Sequence, residues 1–358
     1  MFHMTRIGIV GAGAAAAAAA YALEETLPDA TVTVLEKSGG VCGRAATRRR
    51  DGVVYDYGAN YVKDDDERVT DLLTETLETD GLVDITEPIW TFDRGGDVSE
   101  GRDADEHKWT YRAGLTQIAK RLFARTDVDV HRETRVERLV RDAGGAVNGG
   151  ESAGWRLEDD DGDEWGPFDA LLLNPPAPQT ADLLRSAEWD ADDGLRETLV
   201  DAIDDVPYRT IWTAALHYPF ELERPYYALV NTDKAHEVGW IAREECKPDH
   251  VPGGESLLIV QANHEWSVEH YDDPPAENCE ELARIAAALL GDDRLADPDW
   301  TDHQGWRYAL PEAGAQTGPL RSAEAEGLYC IGDWVAGEGR LHAALRSGLE
   351  VGERIALE

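Results

Sequence analysis

The pattern of apolar and polar positions changes rhythm several times along this chain. "RIGIV", Arg6 to Val10, is a short apolar run that ends in a Gly-rich turn, the pattern of a buried strand. Seven consecutive alanines, Ala14 to Ala20, then predict a helix from about Ala14 to Thr26. "TVTVLE" predicts a second strand ending at Glu36, which completes a β-α-β unit. Further on, Leu115, Ile118, Ala119 and Leu122 recur at helical spacing, and "VDVHRETRVERLVRD" reads as strand, turn and strand. A hairpin is expected around the acidic tip Asp159–Glu164, followed by a buried strand Ala170–Leu173 stopped by Pro175 and Pro176. "NCEELARIAAALLGDD" reads as an amphipathic helix ended by Gly291, and the last 32 residues as strand, Gly-rich loop and long helix. A Gly-rich turn is expected at Gly144–Gly150, and no internal repeat is visible.

The opening alanines also bear on targeting. Arg6 followed by an uncharged run to Leu23 superficially matches an export signal. Two glycines placed where a strand would end are not what a hydrophobic signal segment needs. The run is also short of the roughly 20 strongly apolar residues of a membrane span. The expectation is a chain without a membrane span, in the cytoplasm.

Composition adds one large fact. The 358 residues carry 72 acidic and 34 basic side chains, a formal net charge of −38. Such repulsion would strain a fold in dilute buffer, but at molar salt the Debye length falls to about 3 Å. The acid is therefore read as solvation for a salt-rich, halophilic cytoplasm. Nucleic acid is not an expected partner, because no basic stripe exists to neutralise phosphates. Cys42, Cys246, Cys279 and Cys330 lie far apart without a C-x-x-C pair, which fits a reducing compartment and speaks against a zinc site.

Gly11, Gly13 and Ala16 form G-x-G-x-x-A: a tight turn, a close backbone approach to pyrophosphate, and a small residue for helix packing. Glu36 follows Ala16 by twenty residues, where an acid binds a ribose 2′-hydroxyl. That suits NAD, and equally the adenosine half of FAD. His264 and His270 are six apart and do not make the H-E-x-x-H zinc pattern, so no metal site is expected. Ser347 lies in no G-x-S-x-G, which leaves an acyl-enzyme nucleophile without support.

"EKSGGVCGRAATRR", Glu36 to Arg49, resembles the segment E-K-S-x-G-x-G-G-R-x-A-T-R-R of two-dinucleotide-binding flavoproteins. It looks closest to the renalase-like branch of the flavin amine oxidase superfamily. "YDYGANY", "FDALLLNPPAPQ", "HEWSVEH", "GWRYALP" and "IGDWVAGEGRLHAALRSGL" are similar to further family segments in the same order. The departures are Cys42, where the family has glycine, and His342, where it has an acid. The resemblance implies FAD, with Gly43 and Arg44 at the pyrophosphate, Gly332 and Asp333 near the ribityl–phosphate region, and the helix from Leu341 and His342 aimed at the flavin. It extends the cofactor-binding set, beyond Gly11, Gly13 and Glu36, to Ala14, Lys37, Gly58, Ala59, Asn60 and Val136. Tyr61, Trp306 and Tyr308 are expected to wall the substrate slot, with Asn60 and Arg307 as polar orienters.

The architecture it implies is α/β. An FAD-binding Rossmann-type domain would be assembled from residues 1–63, 110–176 and 320–358. A second α+β substrate domain on an antiparallel sheet would take 64–109 and 177–319. The activity it implies is oxidation of a small donor such as a dihydronicotinamide isomer of NAD(P)H, with O2 as a possible acceptor. An amine oxidase or desaturase, and a flavin-binding sensor or assembly protein without turnover, are the alternatives.

Overall fold

The computed structural model describes residues 5–101, 106–141, 154–189 and 194–357. The turn expected at Gly144–Gly150 lies outside them. Among the described residues, a five-stranded sheet has the spatial order Asp129–Arg132, Thr31–Glu36, Arg6–Val10, Ala170–Leu173, Leu328–Cys330. Every neighbouring pair is parallel, with Ile7 beside Val32 on one side and Ala170 on the other. Strands covered on both faces carry continuous apolar runs rather than alternation. That is why "ALLL" is buried at every position.

The helix spans Ala14–Thr26, as the alanine run predicts. Its alanines serve two surfaces. One side lies on the sheet with Ile7, Ile9 and Leu172, and the other meets the C-terminal helix Leu341–Ile355. A Cβ built on Gly348 would fall 2.0 Å from the Ala15 carbonyl oxygen, and one on Gly352 would fall 2.8 Å from that of Ala19. Small residues on both helices bring the two backbones together, so both helix N-termini reach the same end of the sheet.

The expected hairpin is Trp155–Asp159 and Glu164–Phe168, paired on to Val136–Arg141. Its tip is more than a solvated turn. Asp159 is buried and accepts hydrogen bonds from the backbone N–H groups of Asp161 and Asp163 and from the Trp165 indole at 2.8 Å.

A seven-stranded sheet, largely antiparallel, forms the second layer. Its order is Trp300–Pro311, Tyr208–Tyr218, Ser256–Ala262, Val238–Arg243, Ala228–Asn231, Ile89–Phe92, Val98–Ser99, with one parallel pair between Ala228–Asn231 and Ile89–Phe92. Helix Pro275–Leu290 covers one face, with Leu282, Ala283 and Ala286 in the core, and ends at Gly291 in the left-handed region. The other face packs Ala215, Leu257 and Ile259 against Tyr55 and Tyr227.

Two features cross the expected domain limits. One core joins Trp155, Leu157 and Leu171 to Ala181, Leu184, Leu199 and Ile203, across the division at residue 176. A three-stranded sheet of Val62–Lys63, Lys108–Tyr111 and Leu82–Asp84 straddles the divisions at 63 and 109.

Candidate active site

The carboxyl ends of the parallel strands, the two helix N-termini and one face of the larger sheet line a cavity of about 2320 Å³. Small-molecule pockets usually measure about 300–1,000 Å³, so a dinucleotide leaves room here for a second molecule. Every residue that the sequence nominates for cofactor or substrate lines this cavity.

At the dinucleotide end the chain turns at Gly11, with φ at +88°, and the helix begins after Gly13. A Cβ on Gly13 would stand 2.5 Å from the Asn174 amide nitrogen, which itself donates to the Gly11 carbonyl. Glu36 is buried. One carboxylate oxygen accepts the Ala12 N–H at 2.7 Å and the other accepts the backbone N–H and hydroxyl of Ser38. It therefore fixes the Gly-rich turn from the neighbouring strand. Lys37 reaches Gln179 at 3.3 Å. Val136 flanks this end.

Cys42 does occupy a position that favours glycine. Its φ is +82°, in the left-handed region, which costs an L-residue roughly 1–2 kcal/mol. Its N–H donates to the Ala12 carbonyl, and burial pushes its thiol up to about 12, so the sulfur stays a neutral packing group. Gly43 follows at φ +55° with its Cβ position 3.6 Å from the Gly13 Cα, so the second loop lies directly on the first.

Arg44 lies between the two layers. Its guanidinium grips Asp333 with both nitrogens, at 2.8 and 2.9 Å, and donates to the Ala309 carbonyl at 2.8 Å. Burial alone would lower its pKa, but the Asp333 charge and hydrogen bonds outweigh this and raise it. The pair ties the Cys42–Arg44 loop to the C-terminal strand–helix connection, where the Ser347 hydroxyl accepts the Gly332 N–H. His342 is buried in the first turn of Leu341–Ile355, 3.6 Å from Glu338.

At the other end, Gly58 and Ala59 run beneath the larger sheet. A Cβ on Gly58 would lie 2.0 Å from the Arg44 carbonyl oxygen and 3.2 Å from the Trp306 ring. Trp306 stacks on Tyr57 at 5.3 Å with a 19° interplanar angle, and its indole N–H donates to the Tyr57 carbonyl. Tyr308 meets Tyr208 edge-on, and Tyr61 stands against Tyr227 and Trp240. Arg307 is placed differently from its strand neighbours. It is half exposed, stacked over Tyr271 and 3.7 Å from Asp272, at the cavity mouth rather than in the aromatic wall.

Sequence reasoning missed Gln261, whose amide donates to the Gly58 carbonyl at 2.8 Å, and Trp240 and Tyr57 in the wall. It also missed Asn174. The place of Asn174 directly after a parallel strand was a usable signal, because ligands bind at the carboxyl ends of such strands. Gln261 and Trp240 sit inside ordinary strand patterns that carry no such signal.

Among the described residues, one group has metal-ligand spacing: Asp56, Glu244 and His250, all buried. The Lys247 ammonium already fills it, 3.0 Å from Asp56 and 2.8 Å from Glu244.

Comparison with known proteins agrees with this geometry. Residues 9–76 match the NAD(P)-binding Rossmann-like domain, and residues 90–356 match the flavin-containing amine oxidoreductases. A candidate protoporphyrinogen oxidase from Exiguobacterium sp. 255-15 superposes with a TM-score of 0.78 at 16% identity, over 99% of this chain and 100% of that one. Cyclohexylamine oxidase from Brevibacterium oxydans IH-35A superposes at 0.71 and 15% identity, over 99% of both chains. Putrescine oxidase bound to putrescine superposes at 0.72 and 13% identity, over 99% of this chain and 100% of that one.

A Rossmann-type nucleotide fold joined to a second sheet over one shared cavity frames a dinucleotide site, and the family match makes the protein a flavin-dependent oxidoreductase. The chain belongs to the flavin-containing amine oxidoreductase family, and its cofactor is FAD. No helix among the described residues is long and apolar enough to cross a membrane.

The residues present fit the cofactor. Asn60 Oδ1 is a buried acceptor with no hydrogen-bond partner among the described residues, and a flavin ring carries an N–H that would supply one.

Proposed function

We propose that this enzyme oxidises dihydronicotinamide isomers of NAD(P)H to NAD(P)+, as the renalase-like motifs imply. The observation that carries this reading is the aromatic lining beside the Gly58–Asn60 loop, built from Trp306 stacked on Tyr57, with Tyr61 and the tilted Trp240 on the same cavity. Planar rings held by packing suit a planar, partly cationic product. FAD, when bound, supplies the two-electron acceptor that no side chain provides.

The chain's own task is to hold and orient the donor and exclude water. Gln261 pins Gly58, and Tyr57 pins Trp306, so the floor and wall of the slot are set before a donor arrives. Burial raises the pKa of the Tyr61 hydroxyl, with Lys63 and Arg340 pulling the other way, so Tyr61 keeps its proton and can donate it to a carboxamide oxygen. Arg44 and Asp333 brace the two layers, and Glu36 sets the turn that takes the adenosine half.

The deciding experiment is anaerobic mixing of the FAD-loaded enzyme with dihydronicotinamide isomers and, separately, with primary amines. Fast bleaching of the flavin by the isomers is expected. Fast bleaching by amines alone would sink the substrate assignment. Steady peroxide formation with the isomers in air would exclude a sensor without turnover.

The net charge of −38 supports a salt-rich cytoplasm as the working environment, and the four unpaired cysteines are compatible with a reducing one. A stability that rises from dilute buffer to molar KCl is the expected signature, and a midpoint independent of salt would contradict it.

A further inference from the structure

In a chain with twice as many acids as bases, the cavity wall reverses the balance. Nine of the 34 lysines and arginines line it, but only seven of the 72 acids. Lysine makes the point most sharply. The chain has six, and four of them (Lys37, Lys63, Lys108 and Lys234) face this one space. Lys37 stands at the dinucleotide end, where the phosphates of FAD would account for it, and Arg44 is held by Asp333. Lys63 and Lys108 are not so explained.

These two are direct cross-strand partners in the sheet of Val62–Lys63 and Lys108–Tyr111. Paired residues in an antiparallel ladder project from the same face, with Cβ atoms about 4.5–5.5 Å apart, and like charges placed there repel. Lys63 has Glu106 at 3.2 Å and Asp65 at 3.6 Å, both well exposed at the rim. Lys108 has much less. Only 9% exposed, its ammonium is met among the described residues by a single contact, the Glu106 carbonyl at 3.5 Å. With three donors, one long contact and no carboxylate against it, the Lys108 ammonium has donor capacity left for an anionic ligand in the cavity.

We propose that Lys63 and Lys108 receive an anionic group of the substrate, a phosphate or a carboxylate, while its oxidisable ring lies against Tyr61 and Trp240. Tyr61 is two residues from Lys63, so one small molecule can span both places. The site admits a donor that carries phosphate or carboxylate and disfavours a simple alkylammonium, which two lysines repel. This rests on the proposed oxidation of dihydronicotinamides, whose dinucleotide forms carry phosphate, and it narrows the substrate class within that reading.

The test needs no turnover. FAD-loaded protein is titrated calorimetrically with inorganic pyrophosphate and with succinate at fixed ionic strength. One-to-one binding of at least one probe is expected, weakened tenfold or more in Lys108→Met and kept within threefold in Lys108→Arg. Lys120→Met, which removes a lysine outside the cavity, should leave binding unchanged. Preference for pyrophosphate indicates a nucleotide donor, and preference for succinate a carboxylic acid. Binding of neither probe, or equal weakening by Lys120→Met, overturns the proposal. Should Lys108→Met not retain FAD, Lys63→Met on the half-buried partner carries the same expectation. If pyrophosphate binds at Lys108 but dihydronicotinamides do not bleach the flavin, the substrate reading fails and the anion site stands.

Discussion

Lys247→Met should be among the most destabilising single changes in this protein. The ammonium is fully buried between two fully buried carboxylates, 3.0 Å from Asp56 Oδ2 and 2.8 Å from Glu244 Oε1. His250 joins them, its Nδ1 2.8 Å from Glu244 and its Nε2 2.9 Å from the Tyr111 carbonyl. Lys247 and His250 hold the Glu244 pKa below its usual value despite burial. The two carboxylates raise that of Lys247 against the same burial. Methionine keeps most of the volume and leaves both carboxylates without their ammonium, with one imidazole against Glu244 alone. Breaking a buried pair from one side costs about 3–5 kcal/mol. Urea denaturation measures this, with the double variant Lys247→Met/Asp56→Asn as the second arm. Removing the stranded charge should return more than about 1.5 kcal/mol, since charged neighbours in one network couple by about 0.5–3 kcal/mol. The loss should persist in molar KCl, because salt reaches buried pairs poorly, whereas surface repulsion from the net charge is screened away. The pH dependence has two limbs. The lowered Glu244 contributes stability above its unfolded pKa that is lost as pH falls through its folded one. The raised Lys247 contributes below its unfolded pKa and loses it as pH rises through its folded one. A loss under about 1 kcal/mol, or one that molar salt abolishes, would refute the buried cluster.

Three further outcomes are expected. Glu36→Ala should purify with less FAD than wild type, because it removes the acceptor of the Ala12 and Ser38 N–H groups that fixes the Gly-rich turn; full flavin absorbance per protein under the same conditions would show the proposed role to be wrong. Gly348→Ala should lower stability by about 1–3 kcal/mol through overpacking, since the added methyl meets the Ala15 carbonyl, while Gly318→Ala, with open space at its Cβ, serves as the control in the same thermal melt. Below about pH 4 the 155–168 hairpin should loosen first at its tip: the Trp165 hydrogen bond lowers the Asp159 pKa, so its contribution is present above the unfolded value and disappears as pH falls through the folded one. Trp165 emission followed against the other tryptophans by Trp→Phe subtraction reads this, and an unchanged signal down to pH 2 would contradict it.

Local sequence determined a good deal here. The strands at Arg6 and Thr31, the alanine helix and the helix ended at Gly291 are legible because each depends on near neighbours: apolar period, helix propensity, a C-terminal glycine. The turn at Gly11 and the acid at Glu36 are legible for the same reason, since the motif's spacing is the geometry of one β-α-β unit. The strain at Cys42 could be anticipated from the glycine that usually stands there. The burial that makes its thiol inert comes from an apolar cluster that includes Leu115, 73 residues away.

Tertiary structure alone decided the rest. The run of alanines says that a helix forms, and not that Gly348 and Gly352 close on it from the far end of the chain. Arg44 and Asp333 each look like cofactor ligands in isolation, yet 289 residues of separation end in a bidentate pair. Strand alternation groups Trp306, Arg307 and Tyr308 only loosely, and the irregular pairing opposite Thr210 is what leaves Arg307 at the mouth. Lys63 and Lys108 are unremarked singletons along the chain. Their meaning comes from strand register, which sets them opposite one another in a cavity that the composition of the whole protein would never suggest. Propensity and spacing act over a few residues, whereas charge and burial act through space, and the chemistry of this site belongs to the second kind.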